Sequence, residues 1–359
     1  MAEPLKELYT REVVAALGAA VARVDRRFDP AVFANAVFDR TWPQRELKDR
    51  MHHIARLLYT GMSGDYEQRM NRLMRICPPF RGLPYLLFPD IVEQFGLDHW
   101  DLSMRALETF TPLCSSEFAI RPFIRRDPVR AVKQLRAWSK SPDEHVRRLS
   151  SEGCRPRLPW AMALPEFQRD PAPILPILET LRTDPSEYVR RSVANNLNDI
   201  AKDHPALVLD IARRWLKEKP ETHKLVKHAC RTLLKRGDAK ALALFGFADD
   251  PALVVHRLAL ASPSLALGDA LVFTFEIHNG TDDLEPVRIE YAIDYRKARG
   301  HHHRKVFKIS ERPVAARETL TRRHALRNLT TRTHHPGEHH LHIILNGTVK
   351  ASAPFHLLA

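Results

Sequence analysis

The chain has 359 residues, 44% of them hydrophobic, and a formal net charge of +13. That length accommodates two domains with cores of their own, and the absence of any apolar run of eighteen residues excludes a transmembrane helix. The positive charge points to an acidic partner, of which nucleic acid is the commonest. Cys77, Cys114, Cys154 and Cys230 lie far apart with no C-x-x-C pair, so reduced, mostly buried thiols fit better than a zinc or disulfide framework. The opening MAEPLKELYTREVV lacks the basic-then-apolar profile of a signal peptide, and a cytosolic chain is expected.

Leu5, Leu8, Val13, Leu17 and Val21 recur near helical spacing and predict an amphipathic helix over the first 25 residues. A short helix follows from Asp29, with Pro30 suited to its first position. A third runs from Gln44 to Tyr59, with Leu47, Met51, Ile54 and Leu58 on its apolar side and Gly61 and Gly64 bracketing the turn after it. The prolines of Pro78 to Asp90 rule out one continuous helix there. From Asp98 onward a helix-pair repeat emerges, with its cleanest starts at Asp127–Pro128, Asp170–Pro171 and His204–Pro205. Asp followed by Pro fits an N-cap and the first helical residue. The longer first spacing contains a proline-rich insertion, Arg155 to Phe167. Helix pairs at this period describe a HEAT-like α-solenoid with an extended binding surface.

A helix from Thr222 to Arg236 would bury Leu225, Val226, Ala229, Cys230, Leu233 and Leu234. It would present Lys224, Lys227, His228, Arg231 and Lys235 as a basic row able to track phosphates. Composition changes near Ala261–Pro263, where period-two alternation takes over. Segments such as LVFTFEIHNG, PVRIEYAIDY and EHHLHIILNG predict roughly seven short strands, with Asn279–Gly280 and Asn346–Gly347 as tight turns. This fits an immunoglobulin-like sandwich without the usual cysteine–tryptophan core. The chain therefore reads as mainly α: a solenoid over 1–260, then a small all-β sandwich over 261–359. Arg296 to Lys305, which contains Arg304, reads as the most basic short loop.

Two near-copies of one phrase organise the solenoid: HVRRLSSEGCRPRLPW from His145 and YVRRSVANNLNDI from Tyr188. Residues four apart share a helical face, so Arg148 should lie over Glu152, and Arg191, Asn195 and Asp199 should form one polar row. Glu117, Glu152 and Asp199 are the carboxylates that could act at the binding surface. Trp160, in the irregular insertion, could stack on a ligand or fill core. HHPGEHHLH, from His334 to His342, fits no catalytic zinc spacing, and Pro336–Gly337 looks like a hairpin turn. Surface histidines, or ones that meet phosphate, are expected there and at His301 to His303, and no metal. Neither a third orienting group for Ser150, Ser151 or Cys154 nor a glycine-rich phosphate loop is present.

At these residues the sequence resembles a known family. VRRLSSEGCRPRLPW followed by DPSEYVRRSVANNLNDIAKDHP is similar to the AlkC branch of the AlkC/AlkD HEAT-like DNA glycosylases. The likeness covers the helical part, roughly Met1 to Gly246. The C-terminal sandwich matches the Ig-like domain that some AlkC members carry and AlkD lacks. The resemblance implies removal of cationic alkylated bases from double-stranded DNA, chiefly 3-methyladenine and, for AlkC, 3-methylcytosine. It also implies that the lesion is not extruded into a deep pocket. By motif position it makes Glu152, Trp160 and Asp199 active-site residues, with Glu117 a fourth. Arg148 and Arg155 would hold the backbone near the lesion, and the Ig-like domain would grip the duplex from the other side.

The chemistry suits these residue types. A cationic base leaves readily, and the deoxyribose then gains positive charge as in sugar hydrolysis. A preorganised carboxylate stabilises that charge. Asp199 is expected to do this and to orient water, with Glu152 assisting and Trp160 packing on sugar or lesion. Arg191, Lys227, Arg231, Lys235 and Arg304 are further expected DNA contacts. A cytosolic monomer with no cofactor and no membrane partner is expected, leaving an abasic site. The rival reading is a non-catalytic HEAT scaffold for nucleic acid or an acidic protein. That reading leaves carboxylates set among the arginines of a phosphate-binding face unexplained.

Overall fold

The computed structural model describes residues 4–218, 220–280, 286–328 and 333–358. Leu5–Leu8 form a separate 3₁₀ turn, with both leucines exposed, before α1 (Arg11–Ala22). The expected 25-residue helix is broken because extended Thr10 caps α1, its hydroxyl accepting from the Val13 N–H. Asp29 caps α2 (Pro30–Val37) as predicted. α3 (Leu47–Gly61) starts later than Gln44 because Trp42–Gln44, with Pro43, forms its own 3₁₀ turn. A reciprocal Asp65–Gln68 capping box opens α4 (Tyr66–Ile76). The proline-rich stretch is interrupted as expected: a 3₁₀ turn, Leu83–Leu86, leads into α5 (Leu87–Phe95).

The repeats follow as α6 (Trp100–Cys114), α7 (Arg121–Arg126), α8 (Pro128–Trp138), α9 (Glu144–Glu152), α10 (Pro165–Arg169), α11 (Leu175–Leu181) and α12 (Glu187–Ile200). Four more helices complete the series: α13 (Pro205–Trp215), α14 (Pro220–Ala229), α15 (Arg231–Arg236) and α16 (Ala239–Leu244). Asp127 caps α8 and Pro205 opens α13, but Asp170–Pro171 opens only a 3₁₀ turn, Ala172–Ile174, ahead of α11. Pro171, Pro173 and Pro176 withhold amide donors there. The helix expected over Thr222 to Arg236 breaks at Cys230, whose φ of −85° and ψ of 2° close α14 before α15 begins. The apolar set from Leu225 to Leu234 is buried, but the five basic side chains do not follow one continuous helical face.

The chain forms two compact units, Met1–His204 with Glu218–Ala229, and Pro205–Lys217 with Cys230–Ala359. In the first, α8 packs on α9, α11 on α12, and α12 on both α9 and α14. The second helices of successive repeats thus form one layer, as in a HEAT-like stack. No helix among the described residues is long and apolar enough to cross a membrane.

The second unit holds a sandwich of β1 (Leu253–Leu260), β2 (Ser264–Leu265), β3 (Ala270–Asn279), β4 (Val287–Arg296), β5 (His302–Arg312), β6 (Arg317–Ala325), β7 (Gly337–Leu345) and β8 (Thr348–Leu357). One sheet has the order β1-β3-β6, the other β2-β8-β7-β4-β5. Phe273, Phe275, Ile289, Ile293, Leu341 and Phe355 fill the space between them. β1 lies ahead of the composition shift; a bulge between His256 and Ala259, with Arg257 at φ +53°, spoils its alternation. Asn346 and Gly347, at φ +47° and +81°, make the predicted left-handed turn, whereas the Asn279–Gly280 turn runs into 281–285, outside the described residues.

Two expectations for this unit need correcting. Only the middle of Arg296 to Lys305 is loop: residues 297–301 turn between β4 and β5, which pair through Arg296↔His302 and Asp294↔Arg304. Four consecutive polar residues, His302 to Lys305, open β5 and hide its period-two pattern. His334 and His339 are not on the surface. Both are buried, and His339 stacks on Phe355 at 5.3 Å while its Nδ1 accepts from the Arg296 amide.

Candidate active site

The repeated phrase does two jobs. The first arginine of each copy is structural: Arg147 donates to the Ser141 and Pro142 carbonyls, and Arg190 to those of Asp184 and Pro185. Each therefore secures the turn before its own helix. Arg147 also grips Asp184 through two contacts, at 2.7 and 3.0 Å. Between α9 and α12, the Ser151 and Ser192 hydroxyls meet at 2.6 Å and the Asn196 amide donates to the Ser151 carbonyl at 2.8 Å. Small polar residues in both copies thus let the two helices approach closely.

The second arginines diverge. Arg148 enters a buried chain of charges. It pairs with Glu117, which follows α6, and lies 3.4 Å from Glu152 one turn along α9. Arg155, just past α9, donates to Glu152 Oε1 at 2.7 Å and to Asp199 Oδ2 at 2.9 Å. Lys202 closes the chain on Asp199 Oδ1 at 3.1 Å. Glu152, Arg155 and Asp199 are 4%, 7% and 2% exposed, so these pairs sit largely out of water. Burial opposes charge on Arg148 and Arg155, but the carboxylates outweigh it and hold both above the ordinary guanidinium value.

A cavity of about 530 Å³ opens beside this chain, lined by Gly82, Leu83, Leu86, Ser115, Glu117, Phe118, Arg148, Glu152, Arg155 and Leu158 to Trp160. Trp160 stands at its edge, 59% exposed, with a left-handed φ of +64°. Glu152 Oε2 is buried and has no hydrogen-bond partner. Such an acceptor is costly unless a water or ligand meets it.

Asp199 is not among the lining residues. Both its oxygens are engaged behind Arg155, and the expected Arg191–Asn195–Asp199 row does not form one face. Each four-residue step overshoots a helical turn by about 40°, so the row drifts from exposed Arg191 through Asn195 to buried Asp199. Arg191 pairs with Glu187 at 3.0 Å, both well exposed. With Arg190, Lys224 and His228 it lines a separate open cavity of about 590 Å³. Lys227 lies on α14, Arg231 and Lys235 on α15, and Arg304 on β5, where it makes two 2.7 Å contacts with Asp294.

Sequence reasoning missed Arg121 and Lys48. Arg121 is fully buried and donates to the carbonyls of Gly153, Arg155 and Met162 at 2.7–2.9 Å, which fixes both ends of the segment carrying Trp160. Lys48 Nζ donates to the Trp160 carbonyl at 2.8 Å. Neither carries a local signal, because each partner lies over 30 residues away.

Next to the cavity, on α5, burial pushes the Glu93 carboxyl up to about 7; Asp90 adds to this, while His52, Lys48 and Arg121 oppose it. A carboxyl whose folded pKa is raised binds its proton more tightly when folded, so its contribution is present at acid pH and is lost as pH rises through about 7. Glu93→Gln is therefore expected to raise the melting temperature at pH 8 and change it little at pH 4. Thermal unfolding at both values checks this, and a larger gain at pH 4 would reverse the sign.

A family model described as DNA alkylation repair enzyme matches residues 114–233, the part that contains all four acidic and aromatic candidates. A second, described as the C-terminal Ig-like domain of uncharacterised protein YhaZ, matches residues 254–359. The Bacillus subtilis protein YhaZ is 46% identical over 98% of both chains. A solved structure of the Pseudomonas fluorescens alkylpurine DNA glycosylase AlkC, bound to DNA containing an abasic site analog, is 36% identical. It covers 99% of this chain and 100% of its own with a TM-score of 0.95. Helix repeats and sandwich thus match one family together: the chain belongs to the DNA alkylation repair enzymes, as an AlkC-type DNA glycosylase with a C-terminal Ig-like domain.

Proposed function

We propose that the protein hydrolyses the N-glycosidic bond of cationic alkylated bases in duplex DNA, with 3-methyladenine the type substrate and 3-methylcytosine a second. The observation that carries this reading is Glu152, which lines an open cavity and has one buried carboxylate oxygen, Oε2, without a hydrogen-bond partner. A cationic base departs with the bonding electron pair and becomes neutral, so it needs little protonation. The sugar left behind is oxocarbenium-like, and water adding to C1′ releases one proton and leaves an abasic site. Glu152 Oε2 faces that charge and orients the water, with Glu117 adding negative potential from the same cavity. Because Arg148 and Arg155 are occupied by carboxylates, their role in this scheme is to hold Glu117, Glu152 and Asp199 in place. Asp199 acts through Arg155.

Trp160, exposed at the rim, offers its face to the base; a cation against an indole gains about 0.5–2 kcal/mol. The cavity is open and lined in part by exposed side chains, which suits a lesion approached without full extrusion from the helix. Arg191, Lys227, Arg231, Lys235 and Arg304 are the proposed duplex contacts, through charge on phosphates.

Incubating the purified protein with methylated duplex DNA and identifying the released bases by chromatography tests this. Free 3-methyladenine and abasic sites are expected. Tight duplex binding with no base released would favour the non-catalytic scaffold.

A further inference from the structure

Trp160 sits in a segment whose two ends are fixed by Arg121, and it belongs to no helix itself. Its φ of +64° is a left-handed conformation that a non-glycine residue adopts only at a steric cost. Within the segment, the Ala161 amide donates to the Leu158 carbonyl at 3.3 Å and the Leu164 amide to that of Pro156 at 3.1 Å. Lys48, in the first turn of α3 and 112 residues away in sequence, ties this segment down. Its ammonium donates to the Trp160 carbonyl at 2.8 Å and lies 5.2 Å from the centre of the Phe118 ring, another wall of the same cavity.

A lysine beside a site proposed to receive a cationic base is electrostatically adverse, since like charges repel in a partly dry cavity. Its placement there calls for a compensating task. We propose that Lys48 is a positioning residue for the glycosylase reaction. It holds the Trp160 backbone in its left-handed conformation so that the indole meets the damaged base at a fixed angle, and it touches neither base nor phosphate. This rests on the function proposed above.

The test uses the full-length protein with Lys48→Met, Lys48→Arg, Trp160→Ala and the Lys48→Met/Trp160→Ala double variant. Lys48→Met is expected to lower kcat for base release about ten- to a hundredfold, as misplacement of a reacting partner does. Affinity for undamaged duplex should change less than about twofold, and the kcat loss should vanish in the Trp160→Ala background. Lys48→Arg, which keeps a charged donor, should recover most of the rate. In protein carrying 19F-labelled tryptophan, the Trp160 resonance, assigned by Trp160→Phe, should shift in Lys48→Met and return towards its original position in Lys48→Arg.

An equal loss of kcat in the Trp160→Ala background would overturn the proposal. So would an unmoved Trp160 resonance, or weaker binding to undamaged duplex with a flatter salt dependence, which would make Lys48 a phosphate contact. Wild-type protein that releases no base would sink the glycosylase reading instead, while the resonance arm would still decide the Lys48 contact.

Discussion

Glu152→Gln is expected to slow base release by about a hundred- to a thousandfold while affinity for duplex DNA changes less than about twofold. Removing one preorganised electrostatic contact from a reacting centre typically costs about 3–4 kcal/mol of barrier. Here the substitution keeps the side chain's size but removes the negative charge that the proposed mechanism sets against the sugar. It also faces an amide against Arg148 and Arg155, whose guanidinium groups now meet a carboxylate oxygen at 3.4 and 2.7 Å. Single-turnover release of 3-methyladenine, measured with far-UV circular dichroism as a check on folding, decides the matter. A folded variant retaining the full rate would remove Glu152 from the chemistry and leave Glu117 as the cavity carboxylate to examine.

The largest loss of stability is expected from Arg155→Met. Its guanidinium is shared by Glu152 and Asp199, and all three side chains are at least nine-tenths buried. Methionine fills much of the volume but strands two carboxylates out of water, although Lys202 still reaches Asp199. Breaking a buried pair by removing one partner costs about 3–5 kcal/mol, and urea unfolding at neutral pH should register a loss of that size. The stranded carboxylates would have raised pKa values in the folded variant, so the deficit should shrink as pH is lowered. Adding Asp199→Asn should recover part of it, because one unpaired charge is then removed. A loss under about 1 kcal/mol would mean that water already reaches the pair.

The helical repeats were legible because Asp–Pro starts and a four-residue apolar spacing are local signals, as at Asp127 and in α14. What failed were places where local chemistry competes. Thr10 caps a helix that the apolar spacing alone would extend back to Leu5. A bulge at Arg257 hides β1, and dense charge made the start of β5, His302 and His303, read as loop. At the site, residue types and repeated phrase picked out Glu117, Glu152, Trp160 and Asp199, and the structure gathers all four into one region of the first unit. Their order of exposure was not legible. Counting in fours treats a helix as having straight columns, and the accumulated rotation carries Asp199 inward behind Arg155. Arg121 and Lys48 were out of reach because long side chains pair with backbone carbonyls that have no sequence signature.

The pairing of α9 with α12 has a mechanical consequence. Arg147 on α9 holds Asp184 in the turn before α12, Ser151 and Ser192 join the helices directly, and Arg155, just past α9, holds Asp199 on α12, like three rungs between two rails. A twist applied to either rail is resisted at every rung. The acidic side chains therefore keep their spacing under such a load.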